Sequence, residues 1–252
     1  MSRLTARRSI VVCLVLAGLT LAGCGGGHST QKAAKSTSSA PAPTASPTPS
    51  PPNFTSQQVL RHLISAKEVG PYFKQTVIGT RALLDGKALM CSQSGVKLPG
   101  KPELGARQYT ASVRVPNDMY YSQFIALYSD QEQAARAFST LKAAATACPP
   151  KQHVSARKDS TTNATLFAHD DAWTIAQQDT VQNWTHLHGW EREVYPTNPK
   201  KPDITFDAYD YSVRGNLLLV TLYAERTIPK DTGDAISKRA SMVLMKQLQA
   251  LG

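Results

Sequence analysis

The first fifth of the chain is its most constraining feature, because it determines how much of the sequence is left to fold. Three arginines, Arg3, Arg7 and Arg8, precede an apolar run over residues 10–22. A run of 13 residues is too short to cross a bilayer as a helix, which takes about 20. A basic start, a short apolar core and small residues at its end are typical of a secretory signal peptide. We therefore predict that residues 1–23 form a signal peptide and that the chain is exported.

The apolar run ends in Leu21-Ala22-Gly23-Cys24. This sequence resembles the lipobox of bacterial lipoproteins, Leu-(Ala/Ser)-(Gly/Ala)-Cys. The resemblance implies that the sulfur of Cys24 carries lipid acyl chains such as palmitate, that the preceding peptide is removed, and that the new N-terminus is acylated too. Several acyl chains anchor a protein stably where one is marginal, so we expect Cys24 to attach the chain to the cell membrane, facing the extracytoplasmic side. The alternative is an ordinary signal peptide with a cysteine there by chance.

The next segment has the composition of a linker. Residues 25–52 are rich in Gly, Ser, Thr, Ala and Pro, with six prolines from Pro41 to Pro52. Such a segment cannot bury enough apolar surface to fold, and its proline-rich half favours extended polyproline II conformations. We predict that residues 24–52 are a lipidated cysteine and a disordered tether. One domain then occupies residues 53–252, which is long enough for a single hydrophobic core.

The cysteine count changes once the anchor is assigned. Cys13 leaves with the signal peptide and Cys24 is acylated, so only Cys91 and Cys148 remain in the domain. Exported proteins form disulfides readily, and two cysteines allow one pairing. We predict a Cys91–Cys148 disulfide, which the chain-entropy model values at about 4 kcal/mol for a loop of this length. The alternative is two separate buried thiols.

The charge of the domain is modest. Without the three signal-peptide arginines and Lys32 and Lys35 of the tether, the formal net charge falls from +10 to +5. A mildly basic surface is compatible with contact to anionic lipid heads or wall polymers, or with an ordinary mixed-charge face. No basic stripe is interleaved with aromatic residues, so we expect no nucleic-acid partner.

Three amphipathic helices are predicted. The first begins near Thr55–Ser56 and ends at Gly70-Pro71. The second starts at Ser129-Asp130-Gln131-Glu132, which has the Ser-x-x-Glu spacing of a capping box, and keeps Cys148 in its last turn. The third begins near Asp234 and continues to about Leu251.

Apolar or alternating runs between these helices predict strands joined by short turns, with a hairpin turn at Arg214-Gly215-Asn216. Sequential hairpins favour an antiparallel sheet, and helices at both ends of the order favour the α+β class. The predicted strands cover Tyr120–Tyr128, Trp173–Gln178, Asn183–Tyr195, Ile204–Val213 and Leu217–Tyr223.

Three segments resemble the PknH-like extracellular sensor domain, which occurs on actinobacterial receptor Ser/Thr kinases and on many lipoproteins of those bacteria. They are the stretch from Leu63 to Gly70, the strand and helix from Ile125 to Phe138 that lead to Ala147-Cys148, and the strand from Asn216 to Leu222. The resemblance implies a curved antiparallel sheet with packed helices around a ligand-binding cleft. That family often has two disulfides, and this chain has cysteines for one. No kinase region is present, so a sensing role implies a separate envelope signalling protein as partner.

Four side chains on the strand Asn183–Tyr195 share one predicted face: Trp184, His186, His188 and Trp190. Aromatic rings with neighbouring imidazoles can form a cleft wall that stacks a sugar or an apolar chain. Two tyrosines of the next strand, Tyr209 and Tyr211, could line the same surface. These six residues are the predicted ligand-binding set for a small molecule, glycan or lipid. The alternative is that the tryptophans belong to the core.

Catalytic and metal sites are not expected. His169-Asp170-Asp171 could complete a metal site with His186 and His188, but the sequence does not bring the two segments together, and we predict no metal or cofactor. Glu191 and Glu193, like Asp170 and Asp171, are interpreted as surface acids. The signatures of serine hydrolases, zinc proteases and phosphate-binding loops are missing from the sequence, so we expect no enzyme.

The leading prediction is a cell-envelope lipoprotein whose extracytoplasmic domain senses or binds a ligand or a protein partner. A structural or assembly lipoprotein that acts through its surface, with no small-molecule ligand, is the alternative. An enzyme is the third and least favoured reading.

Overall fold

The computed structural model describes residues 50–111, 118–158, 165–196, 203–227 and 230–252. The predicted signal peptide, Cys24 and nearly all of the predicted tether lie outside these ranges. Within them, none of the helices combines the length and the apolar character needed to span a bilayer.

Five α-helices occur in the described residues. They are α1 (Ser56–His62), α2 (Ala66–Val69), α3 (Arg81–Leu84), α4 (Gln131–Thr146) and α5 (Asp234–Leu251), and a 3₁₀ turn covers Cys91–Gln93.

The strands of the described residues are β1 (Phe73–Thr76), β2 (Ala88–Met90), β3 (Ser94–Val96), β4 (Glu103–Ala111), β5 (Met119–Leu127), β6 (Lys151–Val154), β7 (Arg157–Lys158), β8 (Thr165–Leu166), β9 (His169–Ile175), β10 (Asp179–Val181), β11 (Trp184–Tyr195), β12 (Asp203–Arg214) and β13 (Leu217–Thr227).

One large antiparallel sheet organises the molecule. Its strand order is β1-β4-β5-β13-β12-β11-β9-β6, with β10 paired to β11. The sheet is curved and does not close into a barrel. The pairs β2–β3 and β7–β8 form two small ribbons beside it. This architecture confirms the predicted α+β class and the curved antiparallel sheet.

Helices cover both faces of this sheet. On one face, α4 places Phe138 and Leu141 in a core with Phe124 and Val220. On the other face, α5 contributes Ile236, Ala240 and Val243 to a core that includes Phe206 and Ala208. We call these the α4 face and the α5 face. Because β13 is covered on both sides, Leu217 through Ala224 are all buried, as expected for a central strand.

Two of the three predicted helices differ in detail from the structure. The first is broken, since Leu63 is extended and a side chain of α5 fills the gap: Gln247 accepts from Ile64 N (2.9 Å) and donates to His62 O (3.0 Å). The second starts one residue later than predicted. Its N-cap is Asp130, whose carboxylate accepts from Gln133 N at 2.8 Å.

The predicted disulfide is confirmed. Cys91 and Cys148 are joined with an S–S distance of 2.01 Å across a sequence separation of 57. Cys148 follows the C-cap of α4 rather than sitting in its last turn. The bridge ties the 3₁₀ turn to the end of α4 and therefore fixes the position of Ser92, whose backbone is left-handed (φ 49°).

The hairpin turn between β12 and β13 also matches the prediction. Gly215 has φ 54°, and a Cβ there would lie 1.8 Å from the carbonyl oxygen of Pro52, so a glycine is required. Asn216 then holds the start of the domain, because its side chain accepts from Phe54 N (2.7 Å) and donates to Phe54 O (3.0 Å).

Candidate functional site

The predicted aromatic and imidazole face is largely packed. Trp184 has no exposed surface, and its ring stacks on Phe54 with centroids 5.8 Å apart. Trp190 is half-buried and stacks on Phe206 at 5.2 Å. Trp184 therefore belongs to the core and does not line a cleft.

The two histidines of this face form a closed ion-pair network with two aspartates. His186 places Nδ1 3.0 Å from Asp179 Oδ1 and Nε2 3.0 Å from Asp210 Oδ1, and His188 Nδ1 lies 2.7 Å from the same Asp210 oxygen. Both ring nitrogens of His186 therefore have partners already. His186, His188 and Asp210 are close enough together to hold an ion, but they satisfy one another instead.

Burial and charge oppose each other in this network. Burial alone would lower the pKa of His186, but the carboxylates of Asp210 and Asp179 outweigh it and raise the pKa. Burial alone would raise the pKa of Asp210, but the hydrogen bonds from His186 and His188 lower it to about 2. The network is thus an imidazolium–carboxylate pair at mildly acidic pH.

The structure corrects the expected position of Tyr209 and Tyr211. In the register of β11 and β12, Tyr209 pairs with Gly189 and Tyr211 with Leu187. Paired residues point to the same side of a sheet, so both tyrosines lie on the α4 face, opposite the Trp184–Trp190 face. His169 also lies on the α4 face, because Ile175 of the same strand pairs with Gly189. It cannot complete a site with His186 and His188.

The α4 face carries a group of buried acids, which we call the carboxylate cluster: Asp171, Glu191, Glu193 and Asp207. Each is at most 3% exposed. They come together because Glu191 pairs with Asp207 across β11 and β12, while Glu193 pairs with Asp171 across β11 and β9. The interpretation of Glu191, Glu193 and Asp171 as surface acids was wrong; Asp170, on the other side of β9, is exposed as expected.

Part of the cluster is held by hydrogen bonds. Ser92 donates its backbone N–H to Glu191 (2.8 Å to Oε2), and Tyr209 donates its hydroxyl to the same oxygen at 3.0 Å. The Ser92 hydroxyl donates to Asp171 Oδ2. Tyr195 donates to Glu193 Oε2 at 2.7 Å. The disulfide-bound turn is therefore a direct support of the cluster.

Asp207 differs from its neighbours, because it is fully buried and neither of its carboxylate oxygens makes a hydrogen bond of good geometry. The Tyr209 hydroxyl, which donates to Glu191, lies near enough to Asp207 to oppose the rise in its pKa. Burial, followed by the charges of Glu193 and Glu191, raises the pKa of Asp207 well above its ordinary value. Burial, followed by the charges of Glu193 and Asp171, raises the pKa of Glu191 to about 8, and burial with the charge of Asp171 raises the pKa of Glu193. Strongly perturbed acids in such a place mark candidate functional sites.

A cavity of ≈ 350 Å³ opens beside the cluster. Glu193 and Tyr195 form part of its wall, so the cavity reaches the buried acids. Tyr120, Thr205 and Ala224 supply a largely apolar floor, and the remaining lining residues are Gln93, Asp118, Phe167, Asp203 and Arg226. Arg226 is paired with Asp118 (3.1 Å) and with Asp203 at the rim.

A second cavity, of ≈ 450 Å³, lies between the α2–β1 segment and α5. Its walls are mostly apolar, with Tyr72, Phe73 and Met242 among them. Its acid, Glu225, is paired to Arg239 at 2.8 Å. The smaller cavity is the better candidate site because its buried acid, Glu193, belongs to the carboxylate cluster and is not paired to an arginine as Glu225 is. None of the six predicted ligand-binding residues lines either cavity, although Tyr209 supports the cluster through Glu191.

A signal for the cluster was present in the sequence. On their strand, Glu191 and Glu193 point to the side opposite Trp184 and Trp190. On the next strand, Asp207 is spaced by two residues from Tyr209 and by four from Tyr211, so all three point to one side. If those tyrosines face a core, so does Asp207. The sequence does not give the register that places these two strands beside Asp171.

No protein-family profile matches the chain, and no curated protein matches it. The crystal structure of the extracellular domain of PknH from Mycobacterium tuberculosis is similar with a TM-score of 0.46 and 9% identity, over 79% of this chain and 97% of that one. The crystal structure of human STARD10 gives 0.23 and 11%, over 73% and 83%. The first is the kind of domain that the sequence resembles. At TM-scores below 0.5, neither likeness supports a conclusion about family or function.

Proposed function

We propose that this protein is a lipid-anchored envelope protein whose domain binds a small molecule in the cavity on the α4 face. The observation that carries the proposal is a cavity of ≈ 350 Å³ whose wall includes Glu193, a buried acid of the carboxylate cluster with a raised pKa. Its volume falls in the range of small-molecule sites, which are mostly apolar with a few placed polar groups. The role is binding and sensing, without catalysis.

The lining indicates the chemistry of the ligand. Two carboxylates, on Asp118 and Asp203, are paired with the one guanidinium of the lining, on Arg226, and the buried acid Glu193 adds to them. The net negative charge of this lining would repel an anion, whereas it would not repel a neutral or cationic molecule. The rings of Tyr120 and Tyr195 favour a ligand with a flat apolar face, such as a sugar or an aromatic group.

A role in assembly, without a small-molecule ligand, is the competing function. It draws support from Tyr72 and Met242, which are 57% and 49% exposed beside the second cavity. Exposed apolar residues that lie together mark contact surfaces. The two functions use opposite faces of the sheet and can therefore be separated by substitution.

Native mass spectrometry of the full chain, purified gently from its own host, tests the binding function. We expect a small-molecule adduct on the wild-type protein. Thr205→Trp should abolish the adduct, because the indole would fill the cavity that Thr205 lines.

Thr205→Val is the matched control, since it changes the polarity of the side chain but hardly its volume, and it should keep the adduct. An adduct retained by Thr205→Trp in the wild-type proportion would place the ligand elsewhere. Absence of any adduct from the wild-type protein would favour the assembly function.

A further inference from the structure

We propose that the carboxylate cluster, together with His169, binds one divalent transition-metal ion of the Mn²⁺, Fe²⁺ and Zn²⁺ group. The ligand atoms would be His169 Nε2, Asp171 Oδ1 and Glu193 Oε1. These three residues are 1%, 3% and 2% exposed, and their ligand atoms lie within 4.8 Å of one another. This inference departs from the sequence-based expectation that the domain holds no metal.

The orientation of His169 is the first step. Its Nδ1 lies 2.8 Å from the carbonyl oxygen of Phe167, which assigns the N–H to Nδ1. The other ring nitrogen, Nε2, lies 3.2 Å from Asp171 Oδ1 and 4.0 Å from Glu193 Oε1. In the tautomer that carries its proton on Nδ1 alone, the lone pair of Nε2 is available to an ion beside these two oxygens. A histidine that donates one ring N–H to a carbonyl and aims the other nitrogen at carboxylates has the arrangement of a metal ligand.

The two carboxylates are held in the same manner. The second oxygen of Asp171, Oδ2, accepts from the Ser92 hydroxyl and from Gln152 Nε2 at 3.1 Å. The second oxygen of Glu193, Oε2, accepts from the Tyr195 hydroxyl at 2.7 Å. Each of the three side chains thus has one atom fixed by an outer partner and one atom turned inward. His169 Nε2 and Asp171 Oδ1 make no hydrogen bond although they are fully buried.

Asp207 is an independent sign of missing positive charge. It lies outside the proposed ligand set, is fully buried, and has two carboxylate oxygens that make no hydrogen bond of good geometry. Glu191, Glu193 and Asp207 also approach one another within 4.8 Å. A buried group of acids is stable only if protons or a cation neutralise it. A cation between His169, Asp171 and Glu193 would lie beside Asp207 as well.

The ligand types select the metal. Ca²⁺ and Mg²⁺ prefer oxygen ligands alone, whereas one imidazole with carboxylates suits Mn²⁺, Fe²⁺ or Zn²⁺. Three protein ligands would leave coordination positions open, and one of the three, Glu193, also lines the cavity. The inference rests on the proposed function in one respect only, namely that the cavity is the route by which the ion or a ligand reaches the cluster.

The test uses the full chain in detergent, stripped with a chelator and returned to neutral pH. Electron paramagnetic resonance should show one Mn²⁺ bound per chain, Zn²⁺ should displace it, and Ca²⁺ should displace it poorly. Glu193→Gln and His169→Gln should each weaken Mn²⁺ binding by about 100-fold or more, since even the loss of an outer partner costs 10–100-fold. Asp170→Asn, an exposed acid on the same strand, should bind as the wild type does.

Circular dichroism shows whether each variant is folded, and the wild-type titration needs no variant at all. Failure of the wild-type chain to bind either Mn²⁺ or Zn²⁺ would overturn the inference and leave protons as the neutralising charge. Wild-type affinity in folded Glu193→Gln and His169→Gln would overturn it too. Metal binding without a small-molecule adduct would uphold this inference and contradict the proposed function. A small-molecule adduct without metal binding would uphold the proposed function and contradict this inference.

Discussion

Single residues decide how each face of the sheet is used. His186 is fixed between Asp179 and Asp210, and His188 shares the same Asp210 oxygen. The two histidines that the sequence places in a cleft wall are therefore held in an ion-pair network with two aspartates. A buried ion pair of this kind is sensitive to the loss of one partner, because the other charge is left uncompensated.

This network predicts a window of pH in which it stabilises the fold. The lowered pKa of Asp210, about 2, means that its contribution is present above the ordinary aspartate pKa of about 4 and is lost as pH falls through 2. The raised pKa of His186 means that its contribution is present below about pH 6.5 and is lost as pH rises through the folded-state value. The stabilisation is therefore greatest between about pH 4 and 6.5.

Asp210→Asn measures that window. We expect a loss in the free energy of unfolding of about 2–3 kcal/mol at pH 5, of the order that a shift of two pKa units implies. The loss should shrink on both sides of the window, because below about pH 4 the unfolded wild type already protonates Asp210, and above its raised pKa His186 is neutral. Urea denaturation from pH 3 to 8 gives the profile. A loss that does not vary with pH would contradict the assigned charges.

The sequence predicts which residues share a face of a strand but not which residues lie beside them on the next strand, and the reason is physical. The period of two on β11 correctly places Trp184, His186, His188 and Trp190 on one face. It cannot tell which face is covered or which strand lies beside it. The pairing of Glu191 with Asp207 and of Glu193 with Asp171 depends on register, which long-range packing determines.

At the scale of elements, the disulfide links a short turn to a long helix. Cys91 begins the 3₁₀ turn, and Cys148 follows α4. Ser92, the next residue of the turn, donates hydrogen bonds to Glu191 and Asp171 of the sheet. Ser92 and Gln93 both have φ of 49°, a conformation that is costly for residues other than glycine. The bridge and the hydrogen bonds of Ser92 together hold this turn in place.

The double substitution Cys91→Ala/Cys148→Ala should lower the free energy of unfolding by about 4 kcal/mol, in a typical range of 2–5. Chemical denaturation of this variant, compared with the oxidised and the reduced wild-type chain, measures the effect. The reduced wild type should resemble the variant. Equal stability of the oxidised chain and the variant would show that the bridge does not support the turn.

The longest elements were the easiest to predict. Helices α4 and α5 and the β12–β13 hairpin follow from periodicity and from Gly215-Asn216. The short elements β1 to β3, β6 to β8 and α3 have two to four residues each. Runs of that length carry no readable period, so their structure depends on the sheet edges and on the disulfide turn that they contact.

At the scale of the whole molecule, the sheet separates two kinds of surface. The α5 face is covered by helices and by the start of the domain at Phe54, which Asn216 holds beside Trp184, and it keeps the mostly apolar cavity of ≈ 450 Å³ beside α5. The α4 face is filled near α4 but opens into the cavity beside the carboxylate cluster. We infer that the molecule presents the cavity on the α4 face to its ligand.

The proposed anchor gives a prediction for the whole chain. Cys24→Ser should remove both the lipid attachment and the cleavage point, so fatty-acid labelling of the protein in its host should be lost. A signal-peptide-bearing precursor should accumulate instead. Labelling that persists in this variant would contradict the assignment of Cys24.

A crystal structure of the protein purified from its own host tests the central claim most directly. We expect ordered density for a bound molecule in the ≈ 350 Å³ cavity, in contact with Tyr120, Tyr195 and Thr205. We also expect a metal peak between His169 and Glu193 in anomalous maps. A cavity filled only by ordered water, with density for a ligand on the α5 face instead, would contradict the account.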